Sequence, residues 1–102
     1  MADKTFEVMG YRVELGHRGT PHNSIMCWGA EADHSFTIFF VSDISSAPRN
    51  KGIIEPNKVI GIIYAPEGQY AWYLDLLRNE GPIYAVVDDQ RPDFANILRN
   101  GG

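Results

Sequence analysis

Apolar and polar positions alternate over residues 6–15, but the phase changes partway. Phe6 and Val8 share one parity, whereas Tyr11, Val13 and Leu15 share the other. Alternation of this kind marks a strand with one buried face. One extra residue at Met9-Gly10 restores a common side, so a bent strand with a bulge is expected there. Glu7, Arg12 and Glu14 would then face water. Two apolar runs follow, SIMCWGA at 24–30 and FTIFFVS at 36–42, separated by the polar EADHS. That spacing predicts a hairpin with its loop near residues 31–35. KVIGIIYA at 58–65 reads as a fourth strand and IYAVV at 83–87 as a fifth.

Between those last two strands the period lengthens. In EGQYAWYLDLLRNEGP, Tyr70, Leu74 and Leu77 recur at helical spacing, and Gly81-Pro82 ends the run. The closing segment predicts a short helix with Pro92 in its first turn, a stripe of Phe94, Ile97 and Leu98, and a stop at Asn100-Gly101. Residues 43–57 read as one long connection, pinned at Ile53 and Ile54. The expected fold is a single α+β domain over residues 1–102. It holds about five strands in a mixed, mostly antiparallel sheet, one long helix between the fourth and fifth strands, and a short C-terminal helix. The long helix suits a crossover, so those two strands are expected to run parallel.

Three of the runs, FTIFFV, VIGIIYA and IYAVV, are apolar at both parities, as in strands covered on both sides. One long helix shelters one face. The sheet must therefore curl into a partial barrel, or a second subunit must cover the rest. The helix adds to the surplus. With Tyr70, Leu74 and Leu77 inward, Trp72 and Leu76 project together from the other side as a candidate interface pair.

Charge narrows the partners. The net charge is −4 and Arg outnumbers Lys two to one. A broad basic face for nucleic acid or anionic membrane is not expected. Trp28 and Trp72 lie in apolar runs, unlike the stacking platforms of single-strand binders. Cys27 is the lone cysteine, so no internal disulfide forms, and its setting between Met26 and Trp28 reads as a buried thiol. Neither a signal peptide nor a membrane span is visible, and a cytoplasmic setting is expected.

Candidate chemistry collects in two loops, 16–24 and 42–52. The hairpin brings Ser24 and Ser42 together, so both loops start at one end of the sheet, the near end. His17, Arg18, His22, Asn23, Ser45, Ser46, Arg49 and Lys51 are the candidate ligand residues there. Guanidinium, ammonium and hydroxyl groups suit a phosphate or carboxylate, and two imidazoles suit acid–base work. A polar turn is the simpler reading of GHRGTPHN. The far end is expected to carry Glu31, Asp33, His34, Glu67, Asp88 and Asp89. His17 and His22 lack the spacing of a same-face metal pair, and no metal or cofactor is expected. The expected function is a small binding or interaction protein, homodimeric and without a recognisable catalytic motif. The alternative is a small enzyme or anionic-ligand domain built on the two loops.

Overall fold

The computed structural model describes residues 3–16, 23–79 and 81–100; among them, the side chains of Phe94 and Ala95 also lie outside the description. The chain is a mixed α+β fold with two sheets. One has the order β2-β3-β4-β6-β5, the other β1-β7-β8. The strands are β1 (Asp3–Glu7), β2 (Gly10–Glu14), β3 (Asn23–Trp28), β4 (His34–Val41), β5 (Lys51–Glu55), β6 (Lys58–Pro66), β7 (Ile83–Asp88) and β8 (Ile97–Asn100). The long helix α1 spans Tyr70–Asn79, and α2 is a single turn, Pro92–Ala95.

The phase change near Met9 marks a corner. The Val8 amide donates to Ile83 of β7 at 2.8 Å, and the next amide, Met9, donates to Trp28 of β3 at 2.8 Å. The chain thus leaves one sheet and joins the other within one residue. Phe6 and Val8 before the corner, and Tyr11 and Val13 after it, all pack into the same core. The expected bulge in one bent strand is therefore two strands in two sheets.

Three further expectations are corrected. The strand 58–65 is not a sheet neighbour of 83–87; β6 runs parallel to β4, and β7 lies between β1 and β8. The long connection contains β5, which turns through Pro56-Asn57 and pairs antiparallel with β6. The expected C-terminal helix is one turn followed by a strand, β8. Asn96 sets that change. Its side chain accepts from the Asp88 amide at 2.7 Å and donates to the Lys51 carbonyl at 2.7 Å, which ties the segment to both sheets. The coarse class, mixed and mostly antiparallel, stands, but as two sheets rather than one curled sheet.

The core lies between the sheets. Ile25, Cys27, Phe36, Ile38 and Phe40 are fully or almost fully buried from one side, and Ala85 and Val87 from the other. Each large apolar side chain buried in this way contributes about 1.5–3 kcal/mol relative to exposure. β7 lies against the larger sheet over Gly61 and Gly52, which face each other across the β5–β6 ladder. A Cβ on Gly52 would stand 2.1 Å from the Asp88 carbonyl oxygen, and one on Gly61 would stand 3.0 Å from Val87. The two glycines are the channel through which β7 approaches. Helix α1 closes the same side, with Tyr70 and Tyr73 edge-on to Phe40 at 5.1 and 5.7 Å.

Candidate interaction surface

The near-end candidates divide into those whose bonds are visible and those outside the described residues. His17, Arg18 and His22 fall in the second group. Asn23 opens β3, and its side-chain oxygen accepts from the Gly16 amide at 3.2 Å. Ser45 and Ser46 both donate their hydroxyls to Asp43, at 2.6 and 2.8 Å, capping a short 3-10 turn. These hydroxyls, followed by the Ser45 amide, hold the Asp43 carboxyl below its usual range. Arg49 donates to Asp93 through Nη2 at 2.8 Å and Nε at 3.1 Å. That guanidinium, with the Asn50 amide at 3.0 Å, also holds Asp93 low. Lys51 is exposed at the start of β5.

Chain direction explains the rest of the near end. Because β6 is parallel to β4, it finishes there, and Glu67 follows it to that end rather than the far one. Asp88 sits against Gly52, near the start of β5, and accepts from the Arg91 amide at 2.7 Å and the Gln90 amide at 2.8 Å. Those two bonds keep its carboxyl low. The expected far-end group of Asp33, His34, Asp88 and Asp89 is therefore corrected. Among the described residues, no three His, Cys, Asp or Glu side chains come together as a metal site. Cys27 is buried in the core, and desolvation pushes its thiol up to about 12. That leaves it a packing residue.

The helix pair is split. Trp72 is 60% exposed, with its ring edge-on to Tyr73 at 4.9 Å. Leu76 instead packs against the core. Ten helical residues seated over a sheet end can turn a wider arc inward than the three-residue stripe predicts.

The larger apolar surface is the outer face of the five-stranded sheet. Register places its side chains in rows: Gly10, Trp28, Ser35, Ile60 and Ile53; then Arg12, Met26, Thr37, Ile62 and Lys51; then Glu14, Ser24, Phe39 and Tyr64. Along β3, β4 and β6 the inward residues are buried and most of the outward ones only half-buried. Both α1 and the three-stranded sheet pack on the inner side, through Phe40, Gly61 and Gly52. The outer face is organised as well as apolar. Phe39 stacks on Tyr64 at 5.5 Å, and the Trp28 ring covers Gly10, where a Cβ would meet it at 2.6 Å. Arg12 reaches the Met26 sulfur at 3.8 Å. The rim strands carry both signs, Arg12 and Glu14 on β2, Lys51 and Glu55 on β5.

The apolar surplus is legible in the sequence, but this surface is not. The signal was present as apolar residues at both parities. What it lacked was the topology that puts α1 and the three-stranded sheet, among the described residues, on one side. No protein-family model, curated protein or solved structure matches the chain. No helix among the described residues is long and apolar enough to cross a membrane.

Proposed function

We propose that this protein is an interaction module that acts as a homodimer, with the outer face of the β2-β3-β4-β6-β5 sheet as its contact surface. The observation that carries this reading is the apolar centre of that face, half-buried at Met26, Phe39, Ile60, Ile62 and Tyr64, inside a rim of mixed charge. An apolar centre with a polar rim is the anatomy of a protein interface.

The size of the face selects its occupant. Five strands about 4.8 Å apart and three outward rows about 6.8 Å apart give roughly 24 by 20 Å, on the order of 500 Å². Two copies face to face would bury about 1,000 Å², the lower bound for a specific complex. The charged residues of that face, Arg12, Glu14, Lys51, Glu55 and Lys58, sum to +1, although the chain carries −4. A face so close to neutral repels its own copy little, so a second copy fits better than a strongly charged partner. To be mainly dimeric at about 100 µM such a contact needs a dissociation constant of about 10 µM or lower, about −7 kcal/mol.

The alternative, an anionic-ligand site, draws less support. The Ser45 and Ser46 hydroxyls and the Arg49 guanidinium already serve Asp43 and Asp93. Light scattering on a sizing column tests the proposal. Wild type should elute as a dimer at about 100 µM, and Ile62→Lys as a folded monomer. Two charges buried without partners, one from each copy, should weaken the contact at least about 1,000-fold. A wild-type monomer at that concentration removes the reading.

A further inference from the structure

A cavity of about 570 Å³ opens at the far end. Its walls are β1 at Lys4, Thr5 and Phe6, the β3–β4 turn, and the β5–β6 hairpin. β1 is an end strand of its sheet, so one of its edges faces away from β7. The register says which groups lie on that edge. Val8 donates to Ile83, and backbone groups alternate between edges along a strand. Phe6 and Lys4 therefore bond toward β7, while the N–H and C=O of Thr5 point the other way. Thr5 also lines the cavity. Among the described residues no strand pairs with that edge, and a strand edge beside open space is a template for another strand.

The charge of the walls is one-sided. Glu31, Asp33 and Glu55 face a single lysine, Lys4. None of these three carboxylates has a charged partner at hydrogen-bond distance among the described residues. Glu31 stands 3.9 Å from His34 Nε2, and Glu55 stands 4.0 Å from Lys58 Nζ. The near-end carboxylates differ, since Asp43, Asp88 and Asp93 each accept short hydrogen bonds. The floor is apolar, with the Phe6 ring 5.2 Å from that of His34 and Ile54 and Val59 nearby.

We propose that the free edge of β1 takes an extended segment of another protein, whose lysine or arginine side chain enters this cavity. Backbone bonds to Thr5 set the register, the apolar floor takes the alkyl stem, and Glu31, Asp33 and Glu55 receive the charge. This site borders the dimer face at Glu55, which belongs to both, but the peptide contact does not require the dimer.

Amide chemical shifts of the labelled full chain test it. The probe is acetyl-Thr-Val-Lys-Val-Thr-amide, with glutamate in place of lysine as its control. Saturable shifts are expected at Thr5, Asp33, His34 and Asn57, with at least tenfold weaker binding of the control. Thr5→Pro removes an N–H outside the β7 ladder and should weaken binding about fivefold. Glu31→Gln with Asp33→Asn leaves the backbone intact and should weaken the lysine peptide while sparing the control. The proposal is overturned if the two peptides bind alike, or if nothing saturates by about 5 mM. It is equally overturned if butylamine alone reproduces the shifts where the peptide does not, or if the β1 shifts follow protein concentration without peptide.

Discussion

Gly52→Ala probes the joint between the two sheets. The added methyl would stand 2.1 Å from the Asp88 carbonyl oxygen, 2.7 Å from its carbon and 3.2 Å from the Asp89 amide nitrogen. All three are backbone atoms, so no side chain can swing aside. Relief requires β7 or β5 to move. Movement of either strains the bridge in which Asn96 joins the Asp88 amide to the Lys51 carbonyl. Overpacking a tight interior costs about 1–3 kcal/mol, and each disrupted buried bond adds about 1 kcal/mol. A loss of about 3 kcal/mol is therefore expected. For a chain of this size that corresponds to a fall in Tm of very roughly 12–24 °C. Urea unfolding at 25 °C, followed by circular dichroism, measures it. Gly68→Ala is the control, because a Cβ there meets nothing within 4 Å. A Gly52→Ala midpoint equal to that of the control would refute the close crossing of β7 over β5.

Other consequences follow from individual groups. Asn96→Ala leaves the Asp88 amide without its acceptor in a buried setting and should cost about 1–3 kcal/mol in the same urea assay. Cys27, with its thiol raised to about 12, should resist iodoacetamide at pH 8 in the native protein and react at the normal rate in urea, as mass spectrometry would show. Asp43, Asp88 and Asp93 are all held below the usual carboxylate range. Below about pH 4 the unfolded chain therefore binds more protons than the native one. Stability should be full above that range and fall as pH drops through the lowered native values. Urea midpoints between about pH 2 and 7 should show a shallower fall for Asp93→Asn than for wild type.

Alternation and helical spacing made most of the elements legible. Residues 24–28, 36–41, 58–65, 70–79 and 83–87 are strands or helix as their patterns require. The missed strands were short and polar. β5 carries Gly52 between two charged ends, and its pairing rests on the Pro56-Asn57 turn; β8 alternates over only four residues. Topology was less visible than elements. Nothing local to residues 58–65 says that they pair with 34–41, because that choice depends on β7 leaving for the other sheet. The site suffered from the same gap. Arg49, Ser45 and Ser46 looked free in sequence, and their partners Asp93 and Asp43 emerge from long-range packing in the first case and a local cap in the other two.

The dimer face can be read directly by isotope-filtered NOE spectroscopy on a mixture of labelled and unlabelled chains at about 0.5 mM. Cross-copy signals should link the Met26 methyl and the Ile60 and Ile62 methyls to the Phe39 and Tyr64 rings of the other copy. Their absence, or cross-copy signals from Trp72 alone, would contradict the account.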